Sequence, residues 1–350
     1  MTNAALGKSQ ISVLYADVSY PELTDSELSK IAGISPGRIS TIRSQLIRDG
    51  FYREMKIPSL DLLGFEGIGA VMLNLKEAHI SDDPAHRKLV NDLCQTPGVM
   101  YAIESGDKLM VLCAFPRLSS FEEFADEAFE VGCAVSNIDC ELDYASFPLD
   151  ISKVYSFWDF SSLIQDSFSV HMPLPTKHAP QVAKRDTHVD LSADELRTLE
   201  LMVQDPVGND ADLAARAELG LSTFRRTKER IMSQRLCMRA FVPNIQKMNF
   251  ELIVFSLLKL NPCRSVEMDV DRIKSLVSPW PFILISRKSK ALIGHCFSNY
   301  TSYERYSSRV LRDLKKGAVH LDAIHTISCA TSTMKEIKPL DFSGIVSTMA

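Results

Sequence analysis

The chain repeats its own sequence pattern at a fixed offset, and no gap interrupts the match over its informative part. Residues 24–32 align with residues 209–217, with polar, acidic and apolar positions in phase, and farther along Leu46 aligns with Ile231. A pattern that recurs at a fixed offset indicates a repeated structural unit. We therefore expect two copies of one domain arrangement in these 350 residues.

Each copy opens with residues typical of two short helices joined by a tight turn. Thr24 and Asn209 are suited to cap the first helix, and each is followed three residues later by an acid, which the helix dipole favours. In the first copy Ser35-Pro36 marks the start of the second helix, because proline is tolerated at the first helical position. Extended sequence follows at residues 51–57 and 236–242. This order predicts a winged helix-turn-helix in each half.

The second helix of each pair carries basic and polar side chains outside its apolar stripe. Residues 38–56 hold five basic and two acidic side chains, and residues 222–247 hold seven basic and one acidic, although the chain has a net charge of −5. Local positive charge of this kind is typical of a surface that meets the phosphates of duplex DNA. On the wing strands, Lys56 and Arg239 are expected near the DNA backbone. We expect DNA contacts from Arg38, Thr41, Arg43, Arg48, Arg53, Thr223, Arg225, Arg226, Lys228 and Arg230.

Both halves continue with a second pattern, in which strands and helices follow in the order β-α-β-β-α-β. In the first half, strands are predicted at residues 68–76, 99–104, 108–115 and 135–142, and helices at 84–95 and 119–131. In the second half, strands are predicted at 252–260, 282–287, 291–297 and 320–328, and helices at 266–277 and 302–315. This is the ferredoxin-like order, an antiparallel sheet with two helices on one face. The uncovered sheet faces predict self-association.

The predicted fold class is α+β, with two winged helix-turn-helix domains, each followed by a ferredoxin-like βαββαβ domain, arranged as an intramolecular pseudo-dimer. The aromatic segment 151–170 is expected to pack on one repeat, and a proline-rich stretch follows at 171–180. The predicted domains are winged helix-turn-helix units at 1–60 and 191–247, ferredoxin-like domains at 61–143 and 248–334, a linker at 144–190 and a tail at 335–350.

Several function classes find no support in the sequence. The apolar runs are shorter than the roughly 20 residues that span a bilayer, and no signal peptide precedes them, so we expect a cytoplasmic protein without a membrane partner. The eight cysteines show no Cys-x-x-Cys spacing, which favours reduced core residues over a zinc or disulfide framework. We expect no metal site, no cofactor and no catalytic residue.

Spaced motifs in the first half resemble the Lrp/AsnC transcriptional regulators. They are Ile34-Ser35-x3-Ile39-x6-Leu46-x3-Gly50, then Leu63-Gly64-Phe65, and then Thr96-Pro97-Gly98-Val99 leading to Glu104-Ser105-Gly106-Asp107. The resemblance covers residues 24–142 well and residues 192–330 more weakly. It implies a winged helix-turn-helix before a ferredoxin-like sensing domain, and a sequence-specific transcriptional regulator that is not an enzyme.

The same resemblance implies a small effector, such as an amino acid, at the hairpin formed by Ser105, Gly106 and Asp107. Asp107 is equally explained as an ordinary turn residue. The second half departs from the family pattern, because Arg235 stands where the first half has Gly50 and its hairpin has no Gly-Asp. Unlike the usual single-repeat members of the family, this chain carries both repeats.

Two alternatives stay open at this point. Siroheme decarboxylases are similar to Lrp/AsnC regulators in architecture, and they use histidine and arginine near the second and third strands of the sensing domain. Here the first half has no histidine at residues 100–103, and the second half has only His295, on its third strand. A lone histidine on a strand more often packs in a core, so DNA binding remains the expected function. The other alternative is a protein-interaction module that does not bind DNA.

Overall fold

The structure is a computed structural model that describes residues 6–75, 84–136, 140–170, 189–260, 281–315 and 321–349. It shows a mixed α+β protein with several sheets, which agrees with the α+β part of the predicted fold class. The helices are α1 (Lys8–Ser19), α2 (Asp25–Ala32), α3 (Pro36–Arg48), α4 (Pro84–Gln95), α5 (Leu118–Ser136), α6 (Ser161–Phe168), α7 (Ala193–Gln204), α8 (Asp210–Ala217), α9 (Leu221–Ser233), α10 (Tyr300–Lys315) and α11 (Ser343–Ser347). The strands are β1 (Tyr52–Pro58), β2 (Gly67–Asn74), β3 (Val99–Ser105), β4 (Lys108–Phe115), β5 (Glu141–Pro148), β6 (Lys153–Phe157), β7 (Cys237–Pro243), β8 (Leu252–Leu260), β9 (Ile283–Arg287), β10 (Lys290–Phe297), β11 (Leu321–Ala330) and β12 (Lys335–Lys338).

Element bounds recur along the chain at the spacing found in the sequence. The spacing from Lys8 to Ala193 relates both ends of α1, α2, α3 and β1 to those of α7, α8, α9 and β7. A slightly shorter spacing, from Lys108 to Lys290, relates both ends of β4 to those of β10. The same shorter spacing relates the first residues of α5, β6 and α6 to those of α10, β12 and α11. These elements of one half therefore have identifiable counterparts in the other.

The helix-turn-helix elements form where the capping residues predict them. The Thr24 side chain accepts a hydrogen bond from the backbone N–H of Glu27, and the Glu27 side chain accepts one from the backbone N–H of Thr24. This reciprocal pair satisfies two N–H groups at the start of α2. Helix α2 ends at Gly33, whose φ of 65° is left-handed and suits glycine. At α8 the Asn209 side chain accepts from the N–H of Asp212 at 2.9 Å.

In each ferredoxin-like module the strand between its neighbours pairs with them antiparallel, β4 with β2 and β3 in the first module and β10 with β8 and β9 in the second. In the first module the order is β3-β4-β2-β5, and in the second it is β11-β8-β10-β9. The first module places α4 and α5 on one face of its sheet, where apolar residues of β2 and β4 pack against Phe121 and Phe124. In the second module α10 packs against β10. The predicted helix at 266–277 lies outside the described residues.

One predicted strand lies at other residues in the structure, and several elements of the structure were not predicted. The last strand of the first module, predicted at 135–142, is β5 at Glu141–Pro148, because α5 continues to Ser136. The prediction also contains no counterpart of α1, α7, β6, α6, β12 or α11. The expected packing of the aromatic segment 151–170 is confirmed. Trp158 and Phe160 contact Phe282 with ring centroids 5.4 and 4.7 Å apart.

Each five-stranded sheet ends in a strand from the other half of the chain. Strand β6, from the first half, pairs with β9 of the second half. Strand β12, from the second half, pairs antiparallel with β3, and Lys335 lies opposite Glu104. The β1 and β7 strands form a separate two-stranded sheet. Each predicted wing segment is therefore paired with its counterpart from the other half.

The chain divides into two compact units, each drawn from both halves. One unit takes its described residues from Met1–Met55, Val154–Gln181 and Arg239–Ile324, and the other takes them from Lys56–Lys153, Val182–Met238 and His325–Ala350. No helix among the described residues has the length and apolar character needed to cross a membrane.

Candidate functional site

Part of the predicted DNA-contact set in the first half lies on the surface. Arg38, Thr41 and Arg48 on α3 are exposed, and so is Arg53 on β1. The Thr41 hydroxyl donates a hydrogen bond to the backbone oxygen of Gly37 at 2.9 Å. Arg48 lies 3.7 Å from the Asp49 carboxylate, with 76% of its side chain exposed. These side chains form no enclosed site.

Arg43 does not lie on the outer face of α3 that the sequence pattern predicts for it. Its side chain is 13% exposed and donates to the buried carboxylate of Asp17, with 2.6 Å from Nη2 to Oδ1. It also pairs with Asp25, and the Tyr52 hydroxyl donates to Asp17 at 2.6 Å. The prediction that Arg43 is exposed to DNA is wrong, because two carboxylates hold its guanidinium inside the protein.

Acidic neighbours hold most of the predicted basic contacts of the second half. Asp210 pairs with Lys228 at 2.7 Å and with Arg225 at 3.3 Å, and the hydrogen bond from Lys228 lowers the pKa of Asp210. Arg230 pairs with Glu195 at 2.8 Å. Arg226 is exposed, and Thr223 is half-buried. The positive surface expected on α9 is therefore partly neutralised.

The wing residue Arg239 is also turned away from the position predicted for it. Its guanidinium donates twice to Glu54, with 2.8 Å from Nε to Oε1 and 2.6 Å from Nη2 to Oε2. It lies 4.7 Å above the ring of Phe241. A side chain held in this way is 25% exposed, so Arg239 does not project freely from the wing, and its phosphate contact stays a prediction.

The predicted effector residues form the turn between β3 and β4. Ser105 lies opposite Lys108 in the strand register, and Gly106 has a left-handed φ of 62°. The backbone oxygen of Asp107 accepts a hydrogen bond from the N–H of Leu75 at 2.8 Å. The turn geometry accounts for Gly106 and Asp107 without an effector.

The helix-covered face of the first module is a closed apolar core. Cys113 and Phe115 of β4 pack with Phe121 and Phe124 of α5, and the rings of Phe115 and Phe121 stack with centroids 5.2 Å apart. Gly69 of β2 leaves room for this packing, since a Cβ there would lie 2.2 Å from the Phe121 ring. Such a core offers a ligand no polar group.

The second module has polar groups at the equivalent positions. At the spacing that relates β4 to β10, His295 replaces Cys113, Tyr303 replaces Phe121 and Tyr306 replaces Phe124. Phe297 keeps the place of Phe115, and its ring lies 5.4 Å from that of Tyr303. Arg309 likewise stands where the first module has Glu127. His295, Tyr303, Tyr306 and Arg309 are called the polar cluster below.

His295 is the buried histidine of the polar cluster. Its side chain is 3% exposed, and its ring makes an edge contact with Tyr306 at a centroid distance of 4.6 Å. Nε2 of His295 has no hydrogen-bond partner in the described part of the chain. A buried polar atom without a partner costs roughly 1–3 kcal/mol. An apolar residue, such as the cysteine of the first module, would avoid this cost, which is typical of a position kept for function.

The electrostatics of the polar cluster fix the protonation states of its members. Burial, assisted by the positive charge of Arg309, lowers the pKa of His295 to about 3, so its imidazole is neutral at neutral pH. Burial raises the pKa of Tyr306 above that of an ordinary tyrosine, and burial also raises the pKa of Tyr303. The polar cluster thus combines a neutral imidazole, protonated phenols and a guanidinium.

One member of this cluster, His295, is apparent from the sequence, where a lone histidine on a strand is typical of a core residue. The other three members are not among the predicted site residues. Tyr303, Tyr306 and Arg309 follow at intervals of three along α10, a spacing that keeps neighbouring members close on a helix surface. An alignment of the halves that places Cys113 over His295 would have shown these substitutions together.

Comparisons with known proteins show which fold the whole chain shares. No family model and no curated protein sequence matches it. A crystal structure of the siroheme decarboxylase NirDL matches 97% of this chain and 98% of its own, with 13% identity and a TM-score of 0.53. NirDL in complex with an iron-uroporphyrin III analogue matches 98% of each chain, with 13% identity and a TM-score of 0.54. An AsnC family transcriptional regulator from Agrobacterium tumefaciens matches 40% of this chain and 90% of its own, with 14% identity and a TM-score of 0.30.

The full-length matches correct the function predicted from the sequence. The expectation was a DNA-binding transcriptional regulator that is not an enzyme. The structures that match nearly the whole chain are those of a decarboxylase, and this finding overturns that expectation. This chain therefore shares, over nearly its full length, the fold of the siroheme decarboxylase NirDL.

Proposed function

We propose that this protein is a decarboxylase that acts on a carboxylated iron tetrapyrrole of the siroheme type. The observation that carries the proposal is His295, whose buried Nε2 has no partner among the described residues and lies in a polar cluster absent from the first module. The full-length likeness to NirDL supports the same substrate class. We assign the substrate site to the second module, on the side of β10 that α10 covers.

The chemistry of the polar cluster fits such a substrate. Tetrapyrroles of this class are planar, aromatic and polyanionic, and the cluster provides aromatic rings and a guanidinium that complements carboxylates. The neutral imidazole of His295 has a lone pair or an N–H to offer. In this assignment Arg309 binds a substrate carboxylate, and the substrate provides the hydrogen-bond partner that Nε2 of His295 lacks.

Decarboxylation makes a further demand that the cluster meets. The bond between the carboxyl carbon and the side chain breaks, carbon dioxide leaves, and the remaining carbon takes up a proton. Tyr306 keeps its proton at neutral pH because burial raises its pKa, so its hydroxyl group is available as the donor. A site away from water protects the carbanion-like carbon until that transfer. Because α10 covers His295, substrate binding requires this helix to separate from β10.

The two halves have different roles in this proposal. We infer that the chain is a tandem duplication whose halves form the intramolecular counterpart of a dimer. The recurrence of element bounds supports this inference, as do two hydrogen bonds related by the same offset. Asn244 N–H donates to the oxygen of Phe51 at 2.7 Å, and Ser59 N–H donates to that of Leu236 at 2.9 Å. The first module, with its apolar core, would then be structural, and the second would be catalytic.

The test is binding and turnover with matched variants. Iron-uroporphyrin III is titrated into the full chain while its absorbance is recorded, and siroheme is then incubated with the protein and its products are identified by mass spectrometry. The expected results are a saturable spectral change and loss of carboxyl groups. His295→Ala and Arg309→Ala should each weaken binding by about tenfold or more, since a hydrogen bond to a charged group contributes roughly 1.5–3 kcal/mol.

Glu127→Ala is the matched control, because Glu127 occupies the position of Arg309 in the first module and is exposed. It should bind the tetrapyrrole and turn it over as the unmodified protein does. No spectral change with the unmodified protein would refute the substrate class. Equal binding and turnover by His295→Ala, with an unchanged circular dichroism spectrum, would refute the assignment of the site to the polar cluster.

A further inference from the structure

Two thiols lie in contact at the end of α5, in the first module. Cys133 belongs to the last turn of α5, and Cys140 directly precedes β5. Their sulfur atoms are 3.4 Å apart, so a small side-chain movement brings them to the length of a disulfide, roughly 2.0 Å. Neither residue has a role in the proposed tetrapyrrole chemistry.

The surroundings of Cys140 hold its sulfur towards Cys133. The Cys140 thiol lies 3.6 Å from the backbone oxygen of Phe129, one helical turn before Cys133. Gly132 allows this approach, because a Cβ there would lie 2.9 Å from the sulfur of Cys140 and 3.1 Å from Leu73. Any larger residue at position 132 would push Cys140 away from the helix.

Exposure separates this pair from the other described cysteines. Cys133 is exposed and Cys140 is half-exposed, whereas Cys94, Cys113, Cys237, Cys296 and Cys329 are buried. Burial also raises the thiol pKa of Cys94 and Cys113 to about 12. Thiol oxidation follows thiolate character and access, so oxidation should be selective for the contacting pair.

We propose that Cys133 and Cys140 form a reversible intramolecular disulfide by exchange with a low-molecular-weight disulfide such as oxidised glutathione. The thiolate of Cys133 attacks one sulfur of the small disulfide, whose S–S bond breaks and releases one small thiol. The thiolate of Cys140 then attacks the Cys133 sulfur and releases the second small thiol. The two protein thiols are oxidised, the small disulfide is reduced, and the two protons lost by the cysteines are taken up by the leaving thiolates.

The bond would connect the last turn of α5 to the start of β5. Helix α5 carries Phe121 and Phe124 into the core of the first module, so oxidation would fix the far end of the helix that covers this core. Constraint of the unfolded chain by the bond stabilises the folded state. Oxidised protein should therefore melt at a higher temperature than reduced protein, and dithiothreitol should reverse the difference.

The experiment titrates the folded full chain with mixtures of oxidised and reduced glutathione. The protein is then quenched with acid, its remaining thiols are alkylated, and its peptides are mapped by mass spectrometry. In a tryptic digest we expect one peptide that contains both Cys133 and Cys140, since no Lys or Arg lies between them, and it should carry an internal disulfide and two hydrogen atoms fewer than the reduced peptide. Cys133→Ser should abolish the link and the rise in melting temperature. Cys140→Ser should instead leave a glutathione adduct on Cys133, which shows that the exposed thiol reacts first.

The same experiment is repeated with a Cys263→Ser variant, because Cys263 lies outside the described residues. This variant excludes a disulfide that involves Cys263. Recovery of both thiols in alkylated form after oxidising mixtures, from protein that remains folded, would overturn the proposal. Separate glutathione adducts on both cysteines without a link would also overturn it. Neither result depends on tetrapyrrole binding, so this test is independent of the proposed function.

Discussion

Glu54 and Arg239 occupy equivalent positions in the two halves, and they form an ion pair with each other through two hydrogen bonds. In a dimer of identical chains, equivalent positions carry the same residue type on both sides of the twofold axis. Two equivalent positions can therefore carry opposite charges only when the sequences around them differ, as they do at Glu54 and Arg239. The pair thus links strands β1 and β7, which pair with each other in the two-stranded sheet.

Replacing Arg239 by alanine should destabilise the protein by about 2–4 kcal/mol, because it removes two charge-assisted hydrogen bonds from a partly buried carboxylate. Glu54 is 10% exposed in the pair. The double variant Glu54→Arg with Arg239→Glu should recover much of the loss. Urea unfolding curves measure both effects, and Arg226→Ala, at an exposed position, serves as the control. A loss below about 0.5 kcal/mol for Arg239→Ala would contradict a stabilising role.

Arg43→Ala should cost about 3–5 kcal/mol in the free energy of unfolding, since it leaves the buried carboxylate of Asp17 without its cationic partner. Asp17 is 1% exposed. Arg38→Ala on the same helix is the matched control and should change stability by less than about 0.5 kcal/mol. Chemical denaturation of the two variants makes the comparison. Equal stability of both variants would mean that the Asp17 network does not stabilise the helix-turn-helix.

His295 should make stability depend on pH in a definite direction. Its pKa falls from 6.5 to about 3 on folding, so below pH 6.5 the unfolded chain binds a proton that the folded protein does not. The free energy of unfolding is therefore not reduced by this group above pH 6.5. It falls as the pH is lowered towards 3, because protonation of His295 favours the unfolded chain. Between pH 6.5 and 4.5, the protein should lose about 2 kcal/mol relative to His295→Phe. Urea unfolding at both pH values tests this, and parallel losses in the two proteins would contradict it.

Gly69→Ala should destabilise the first module by about 1–3 kcal/mol through overpacking. The new methyl group would lie 2.2 Å from the Phe121 ring and 2.8 Å from the sulfur of Cys113. A second substitution, Phe121→Leu, should make room for it, so the double variant should lose less than the sum of the two single losses. Thermal unfolding of the three variants measures the coupling. Additive losses of stability would show that the Phe121 ring is not what excludes a side chain at position 69.

The sequence predicted regular elements well where local signals were strong. Helix α4 has the predicted bounds of residues 84–95 because its apolar spacing is regular, and the caps Thr24 and Asn209 start α2 and α8 as expected. Helix α1 was missed because Gly7 precedes it without a side-chain cap and its first turn contains no acid. Strands β6 and β12 were missed because pairing with the other half of the chain leaves no local signal.

The candidate site was harder to predict than the secondary structure, because the roles of its residues depend on side-chain contacts between elements that are distant in the sequence. Arg43 lies four residues after Ile39 and three before Leu46, both buried, so helical spacing already places it beside the apolar stripe. A count of basic residues along the segment does not distinguish Arg43 from the arginines on the exposed face of the helix. His295 was visible in the sequence, but its importance depends on Tyr306, Arg309 and the lack of a partner for Nε2, which only the packing of α10 on β10 brings together.

The exchange of β6 and β12 has a consequence for how the protein can be divided. If the chain were cut between its halves, each fragment would lack the outer strand of its own sheet and carry a strand that belongs to the other fragment. An unpaired sheet edge of this kind invites aggregation. The separate fragments should therefore be insoluble or unfolded alone and recover by complementation when they are co-expressed. Translation as one polypeptide supplies both strands in equal amounts.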